Sequence, residues 1–359
     1  MQKEPICHII GGGLSGVACA YFLRQMRPDM HSIIYDEKAH LGGKTYCRYD
    51  IDWRMEVDNA LHTIFDSNAF MSRFVEKEEW KKNAAFVNFD DLEDSLQMRK
   101  NKDILLKKIC NMAPDKIADK VKKQTMKMLF PHRFSSPKIY AFDSNLTPRL
   151  INNLAAYADL SCVNQKLRRI SGKDGTAKTL WFGNQRINLR KGDRVILAVD
   201  NVSAADLLGL ERLELTQKAS IAYYTSQMIF LPYGVSFVGV RGGACDWIAV
   251  SSDILAAEIC DYNPHFATTD KLAIHVWEDI AKIRRVNSAF VPSYKLEVVE
   301  NASVRLDEKN NAKRPDNANT QYENVFICGD WTMKNYPCMM ETAVLSSKRA
   351  VKTMLRTMK

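Results

Sequence analysis

Short apolar runs alternate with stretches of helical periodicity at both ends of the chain. Residues 6–10 have the pattern of a buried strand, and the apolar positions within 17–23 recur at helical spacing. A second apolar run, 32–35, ends at Asp36, and residues 324–328 precede a Gly-Asp pair and a further helical stretch. Apolar strands separated by helices are typical of an α/β fold with a parallel sheet. The pattern therefore predicts a Rossmann-like domain to which both ends of the chain contribute.

A glycine-rich turn connects the first predicted strand to the first predicted helix. Gly11, Gly13 and Gly16 satisfy the pattern G-x-G-x-x-G, which brings a pyrophosphate close to the backbone and to the N–H groups of a helix N-terminus. Asp36 follows Gly16 by twenty positions, where a carboxylate accepts the ribose hydroxyls of a dinucleotide. A turn without a ligand is the alternative. The predicted contacts are Gly11, Gly13, Leu14, Ser15, Gly16, Asp36 and Glu37.

Two further motifs indicate a flavin rather than a nicotinamide cofactor. The run from Asp36 to Gly42-Gly43-Lys44 resembles the E-x5-G-G-R segment of the flavin amine oxidase and phytoene desaturase superfamily. The strand that ends at Gly329-Asp330 resembles the segment of that superfamily whose Asp contacts the ribityl chain. The resemblance implies an FAD cofactor in a Rossmann-like domain of the GR2 type. Its implied contacts are Gly42, Gly43, Lys44, Gly329, Asp330, Met340, Glu341 and Ala343.

A narrower resemblance covers nearly the whole chain. The segment 57–62 is similar to the D-N-G-Q-H motif of the hydroxysqualene dehydroxylases, and 329–344 is similar to their G-D-W-T…P…E-G-A-V block. This resemblance implies the reductive dehydroxylation of hydroxysqualene to squalene, with Asn59 among the FAD contacts. That reaction needs one proton donor for the leaving hydroxyl, and His62 and Glu341 are the candidates. Three residues stand where the family has glycine: Ala60, Thr342 and Ser347.

Three other functions remain open. A carotenoid desaturase or an amine oxidase of the same superfamily would carry the same FAD motifs. An amine oxidase usually needs an aromatic cage, for which Tyr336 provides one half and no second residue is evident. A non-catalytic flavin-binding or lipid-binding relative is suggested by the changes at Thr342 and Ser347.

The length and composition fit a globular protein of two domains. The chain has 359 residues, of which 46% are apolar and 26% charged, and this excludes disordered, collagenous and disulfide-scaffold classes. The superfamily inserts an α+β substrate domain into the FAD-binding domain. The predicted FAD-binding segments are 1–60, 141–210 and 299–359, and the predicted substrate-binding segments are 61–140 and 211–298.

The net charge of +9 comes almost entirely from one segment. Residues 99–133 contain eleven basic and three acidic residues. Their apolar positions recur at helical spacing, which predicts a basic amphipathic surface that docks on an anionic membrane. A solvated lysine-rich helix that covers the core is the alternative. No nucleic-acid recognition motif accompanies the lysines, so we expect no nucleic-acid partner. The family resemblance implies a hydrophobic isoprenoid substrate.

The nine cysteines form no C-x-x-C pair and none has zinc-ligand spacing, so we expect reduced thiols and no metal site. The expected reduced thiols, together with the lack of a signal-peptide pattern at the N-terminus, predict a cytoplasmic protein. The alternative is a protein that is peripheral on the inner face of the cytoplasmic membrane. Residues 220–240 lack charge and are long enough for a transmembrane helix. The Pro-Tyr-Gly sequence at 232–234 favours two β-runs around a turn instead.

Overall fold

The chain forms two compact units. The computed structural model describes residues 4–76, 84–90, 95–132, 137–141, 146–183, 185–225, 231–251, 253–264 and 269–358. The first unit contains residues 1–46, 147–213 and 309–359, and the second contains 47–146 and 214–308. The division falls after residues 46, 146, 213 and 308, whereas the sequence predicts 60, 140, 210 and 298. The difference arises because residues 47–58 and 299–304 form strands that pair inside the second unit.

The first unit is built on a five-stranded parallel sheet, as the apolar runs predict. Its strands are β1 (Ile6–Ile10), β2 (His31–Asp36), β8 (Ser161–Asn164), β12 (Arg194–Leu197) and β18 (Val325–Ile327). Their order in the sheet is β18-β12-β1-β2-β8. The chain runs outward from β1 in one direction through β2, and it continues on the other side of β1 through β12. Ligands of open α/β sheets bind beside such a reversal, at the carboxyl ends of the strands.

Five helices and a small antiparallel sheet complete the first unit in the part of the chain that the structure describes. The helices are α1 (Leu14–Met26), α4 (Leu146–Ala158), α5 (Asn201–Leu208), α7 (Glu308–Lys313) and α8 (Met340–Arg356), and the sheet contains β9 (Arg169–Lys173), β10 (Thr176–Phe182) and β11 (Gln185–Asn188). Helices α1 and α8 pack on each other, and both are largely buried on the side that faces the sheet. The Rossmann-like α/β fold predicted from the sequence is confirmed.

The second unit contains a six-stranded sheet with the order β17-β13-β16-β15-β14-β6. Its strands are β6 (Ala85–Asn88), β13 (Leu215–Tyr224), β14 (Phe237–Arg241), β15 (Trp247–Ser251), β16 (Ile254–Cys260) and β17 (Tyr294–Val304). The smaller pairs are β3 (Cys47–Asp50) with β4 (Met55–Asp58), and β5 (Thr63–Phe65) with β7 (Ile139–Ala141). The helices of this unit are α2 (Lys102–Cys110), α3 (Asp119–Leu129) and α6 (Thr269–Arg284).

The uncharged segment 220–240 contributes two strands of this sheet. It contains the end of β13 and most of β14, with a 3₁₀ turn at 232–234, while 226–230 lie outside the described residues. The prediction of two β-runs around a turn is therefore confirmed for the described part. No helix in the described ranges combines the length and the apolar character needed to cross a bilayer.

The two faces of the six-stranded sheet differ in chemistry. Helix α6 covers one face, where Tyr223, Leu255 and Ile248 pack with Trp277 and Ile280 in an apolar core. Strand alternation directs the intervening residues to the opposite face.

Helix α2 packs on that opposite face. A Cβ added to Gly239 of β14 would lie 2.9 Å from the side chain of Ile104 in α2. The same face carries Glu258, Trp247 and Ser220 as cross-strand neighbours. This face therefore contains buried polar groups, whereas the α6 face is apolar.

The basic segment 99–133 forms α2, α3 and the turns beside them. Its main apolar side chains are buried: Ile104, Leu105, Ile109, Ile117, Val121 and Leu129. Lys107 and Lys108 form ion pairs with acidic residues of the sheet, and Arg133 lies outside the described residues. The exposed basic side chains are Arg99, Lys100, Lys102, Lys116, Lys120, Lys123 and Lys127. Because the apolar sides of both helices belong to the core, the segment presents a mainly basic and polar surface to solvent.

Candidate functional site

Two glycine turns meet at the carboxyl end of β1. The N–H of Gly42 donates to the carbonyl of Gly12 at 2.9 Å, and Gly13 and Gly42 form a parallel bridge. Gly11 has φ +102°, and a Cβ there would lie 2.5 Å from the carbonyl oxygen of Ala198. The two glycine motifs, about thirty residues apart in the sequence, are thus hydrogen-bonded to each other in the fold.

Gly16 allows the close packing of helix α1 on this turn. A Cβ at Gly16 would lie 1.9 Å from the carbonyl oxygen of Gly11, a distance no side chain tolerates. The helix follows Gly13, whose backbone is extended, and no side chain caps the helix. No acidic residue lies in its first turn, which contains Leu14 and Ser15. The N-terminus of α1 therefore keeps the positive end of its dipole for an anion.

Gly13 and Gly43 border a space that fits a phosphate chain. A Cβ at Gly13 would find its nearest neighbour, the Cα of Gly43, at 3.6 Å, so nothing in the protein requires glycine at this position. Gly13 has φ −68°, which any residue adopts. A glycine that neither backbone strain nor protein packing requires is explained by a ligand that approaches its backbone closely. The cradle therefore fits a dinucleotide pyrophosphate.

The carboxylate at the end of β2 is tied to the same turn. Asp36 accepts the N–H of Gly12 on Oδ2 at 2.5 Å and the N–H of Lys38 on Oδ1 at 2.7 Å. Glu37 and Lys44 are exposed, and Glu37 pairs with Lys166 at 2.5 Å. Asp36 thus lies beside the glycine turn, where the contact with a ribose that the sequence predicts stays a prediction.

The C-terminal motif forms a loop between β18 and α8 that a buried arginine holds. Gly329 has φ +139°, and a Cβ there would lie 2.7 Å from the indole nitrogen of Trp331. Arg314, only 3% exposed, donates to the carbonyl oxygens of Asp330 at 2.5 Å, Trp331 at 3.0 Å and Tyr336 at 2.7 Å. One guanidinium therefore fixes the loop that carries Asp330.

Sequence reasoning assigned Arg314 no role in the site, although the signal was present. The residue precedes Pro315 in the polar stretch 307–321, where a lysine-rich or arginine-rich loop is normally solvated. The arginine shares the segment with Asn317, which is also buried and donates to the carbonyl of Ile327 at 2.7 Å. Only the fold shows that this stretch folds back on the β18–α8 loop.

Replacing Arg314 by methionine should destabilise the protein by about 3 kcal/mol, because three backbone carbonyls would lose a charged donor in a buried loop. Urea unfolding at neutral pH measures the free energy. Arg349→Met is the matched control, since Arg349 forms an exposed pair with Asp316 and its loss should cost less than about 1 kcal/mol. Equal effects of the two substitutions would contradict the role of Arg314 in the loop.

The third turn of α8 contacts the first turn of α1. The hydroxyl of Ser347 lies 2.8 Å from the carbonyl oxygen of Ser15 and 2.9 Å from that of Ala343. Ser15 is the second residue of α1, and Ala343 is the fourth residue of α8. No side chain caps α1 or α8, so the first-turn N–H groups of both helices have no side-chain acceptor at the cap position. Ser347 is accommodated in place of the family's glycine as a bridge between the helices.

The third position of α8 carries a buried hydroxyl. Thr342 is fully buried, and its Oγ1 has no hydrogen-bond partner in the described part of the chain. It shares a helix face with Ser346, whose Oγ accepts the N–H of Gly329 at 3.1 Å. Glu341, the predicted contact and candidate acid, is 2% exposed in the same turn. A buried hydroxyl without a protein partner fits a site that a ligand completes.

Thr342→Val is therefore expected to weaken flavin binding about tenfold, since a hydrogen bond to the cofactor would be lost. Fluorescence titration of the apoprotein with FAD measures the affinity. Valine has the shape of threonine, so the apoprotein should unfold at the same or a higher urea concentration. Thr342→Ser, which restores the hydroxyl, should recover most of the affinity. Unchanged affinity in the valine variant would exclude the contact.

The predicted residues of the 57–62 motif lie in the second unit. His62 Nδ1 is 2.8 Å from Oδ1 and 2.9 Å from Oδ2 of Asp58, whose side chain is fully buried. A carboxylate partner favours the tautomer with its proton on Nδ1, and Nε2 is then the other ring nitrogen. Asn59 is 5% exposed beside this pair. The motif thus contains a histidine that a buried acid orients.

A buried group of charges lies on the α2 face of the sheet in the same unit. Glu258 is fully buried between Lys108, which donates to its Oε2, and Lys218, whose Nζ is 2.7 Å from its Oε1. Burial raises the pKa of Glu258, but the two ammonium groups outweigh this and lower it to about 2. Glu258 is therefore ionised at neutral pH. The sequence reasoning missed this group, although Lys108 follows Ile104 by one helical turn on the buried side of α2.

Comparison with protein families gives two matches along the chain. Residues 9–77 match the family described as NAD(P)-binding Rossmann-like domain, and residues 148–355 match the family described as Flavin containing amine oxidoreductase. The second match covers more than half of the chain. Both agree with the glycine turns and the β18–α8 loop of the first unit.

Curated relatives and solved structures extend the likeness. A hydroxysqualene dehydroxylase of Zymomonas mobilis is 24% identical over 96% of this chain and 98% of its own. A second, of Rhodopseudomonas palustris, is 29% identical over 53% of this chain and 45% of its own. The resemblance predicted from the sequence is confirmed. Cyclohexylamine oxidase from Brevibacterium oxydans has the same fold, with a TM-score of 0.70 at 10% identity over 99% of both chains.

Proposed function

The chain belongs to the flavin containing amine oxidoreductase family, and from this premise we propose that it is an FAD-dependent hydroxysqualene dehydroxylase. Hydroxysqualene would lose its hydroxyl as water and gain a hydride, giving squalene. The observation that carries the proposal is the pair of Asp58 and His62, since it provides an oriented proton donor in the segment that resembles this family. The full-length likeness to the Zymomonas mobilis relative supports the same conclusion.

The first unit would hold FAD along the carboxyl edge of its sheet. The N-terminus of α1 and the glycines at 11, 13, 42 and 43 would take the pyrophosphate, and Asp36 the adenosine ribose. The loop at Gly329-Asp330 and the first turn of α8 would take the ribityl chain and the ring. The positive end of the α8 dipole favours the negative charge of the reduced ring. When bound, the cofactor supplies the hydride that replaces the hydroxyl.

His62 would act as the acid. Nε2 of His62 would donate a proton to the hydroxyl oxygen, so that the C–O bond breaks and water leaves. Asp58 would hold Nδ1 and stabilise the imidazolium before the transfer. The resulting carbocation accepts the hydride, and one proton and one hydride balance the replacement of OH by H. Glu341 remains the alternative donor, and its place in the first turn of α8 is also consistent with a structural role.

Anaerobic product analysis tests the proposal. Protein with chemically reduced flavin should convert hydroxysqualene into squalene, identified by gas chromatography with mass spectrometry. The same protein with oxidised flavin should consume no oxygen with primary or secondary amines. Absence of squalene together with amine-dependent oxygen consumption would favour an amine oxidase instead.

We also propose that an anionic membrane surface is the partner of the exposed basic side chains in 99–133, since the substrate dissolves only in lipid. Seven exposed lysines and arginines support an electrostatic contact at the cytoplasmic face, at about 1 kcal/mol for each residue near the surface. The protein should float with liposomes that contain anionic lipid and be released by salt. Lys107, which pairs with Asp246, gives a control: Lys107→Gln should float unchanged, whereas Lys120→Gln/Lys123→Gln/Lys127→Gln should not float.

A further inference from the structure

The segment between β4 and β5 carries the histidine pair and has no regular secondary structure of its own. It runs from Asp58, the last residue of β4, to Thr63, the first residue of β5. The pair of Asp58 and His62 spans this segment. The position of the imidazole therefore depends on what holds the backbone between the two residues.

One side chain from outside the segment holds that backbone. Lys108 of α2 donates to the carbonyl oxygen of Leu61 at 2.9 Å, next to His62 in the chain. The Lys108 side chain is 5% exposed and also donates to Glu258 of β16. Lys108 thus connects the helix, the sheet and the residue before the histidine.

Glu258 fixes the direction of the Lys108 side chain. Its other oxygen accepts from Lys218 of β13, so the carboxylate is held from two sides and cannot rotate freely. Burying the charges of Lys108 and Glu258 is costly, and a well-packed apolar replacement of such a pair is often at least as stable. Fold stability alone therefore does not explain a lysine on the buried side of α2. A need to hold the Leu61 carbonyl, and with it the backbone before His62, in one position does explain it.

We propose that Lys108 is a positioning residue that acts through the carbonyl of Leu61 to hold His62 in its proton-donating orientation. This inference rests on the proposed role of His62 as the acid. Lys108 itself transfers no proton and contacts no substrate. Its neighbour Lys107 pairs instead with Asp246, at 2.5 Å, which makes it a matched control on the same helix.

A double-mutant cycle tests the inference, because a residue that acts through another loses its effect when that residue is absent. Lys108→Met should lower kcat about tenfold or more at an unchanged flavin content, and Lys107→Met should leave it within about twofold. In the His62→Ala background, Lys108→Met should lower the residual rate by no more than about twofold. Lys108→Arg, which keeps the charge beside Glu258, should recover part of kcat.

The outcomes separate this inference from the proposed function. An equal loss from Lys108→Met in both backgrounds would show that Lys108 acts on stability or elsewhere, and would overturn the inference. Full activity of His62→Ala would overturn the acid role and the inference with it. If Lys108→Met does not fold, proton NMR of Lys108→Arg decides. The downfield Nδ1–H signal of His62 should shift there and not in Lys107→Met, and an unshifted signal would contradict the inference.

Discussion

Replacing His62 by alanine is expected to lower the turnover of hydroxysqualene by roughly 10²- to 10⁴-fold, the usual contribution of a positioned general acid. The flavin should stay bound, since the glycine turns and the β18–α8 loop belong to the first unit and His62 to the second. Its Nδ1 is held by a fully buried carboxylate, so the ring has one orientation from which to donate. Stopped-flow oxidation of the reduced flavin by substrate, under anaerobic conditions, gives the rate.

Two further substitutions serve as a second test and as a control for this result. Asp58→Asn should also slow turnover, because a neutral amide cannot stabilise the imidazolium form of His62 that donates the proton. His275→Ala removes an exposed histidine of α6 in the same unit and should leave the rate unchanged. If His62→Ala keeps full activity while Glu341→Gln abolishes it without loss of flavin, the proton donor is Glu341.

Gly13→Val is expected to weaken flavin binding without unfolding the protein. The backbone of Gly13 is extended and its added Cβ would contact no protein atom closer than 3.6 Å, so the fold tolerates a side chain. The same side chain would occupy the space between the glycine turns, and overpacking of this kind costs about 1–3 kcal/mol, or about 5- to 150-fold in affinity. Flavin absorbance after reconstitution and gel filtration measures the bound fraction.

The contrast with a second glycine makes the test specific. Gly16→Ala should unfold or strongly destabilise the first unit, since its Cβ would lie 1.9 Å from the carbonyl oxygen of Gly11. Ala39→Val adds a similar volume to the exposed residue three positions before Gly42 and should leave flavin binding intact. A yellow, fully loaded Gly13→Val protein would show that the cofactor does not use this cradle.

The fold of the first unit could be predicted from the sequence, because the residues of each of its motifs lie close together in the chain. The strand at 6–10, the glycines that follow and Asp36 lie within about thirty residues, and backbone geometry alone brings them together. The C-terminal half of the motif is equally compact around Gly329. The hydrogen bond from Gly42 to Gly12 joins two glycine turns that the family resemblance had already assigned to the same cofactor site.

The residues that support the site could not be read in the same way. Arg314 is separated from Tyr336 by about twenty positions, and Lys108 from Glu258 by 150. A lysine in a charged segment is normally solvated, so the +9 net charge favoured a surface role for the whole of 99–133. In the fold the Lys108 side chain is buried, because the part of α2 that carries it faces the carboxylate of Glu258 on the sheet.

The observed unit boundaries differ from those predicted from the sequence for a related reason. Residues 47–58 follow directly on the flavin motif in sequence, but they form a hairpin whose Arg48 and Asp50 pair with Glu297 and Lys295 of β17. Long-range contacts of this kind leave no local pattern. The same hairpin ends at Asp58, so the histidine pair belongs to the second unit.

A single turnover in D₂O tests the central claim most directly. Protein with stoichiometrically reduced flavin, equilibrated in D₂O without oxygen, is mixed with hydroxysqualene, and both the flavin absorbance and the product mass are followed. The account predicts that the yellow absorbance returns at the rate of product formation, and that the squalene carries one deuterium at the carbon that lost the hydroxyl. A flavin that stays reduced with unchanged hydroxysqualene, or squalene without deuterium, would contradict it.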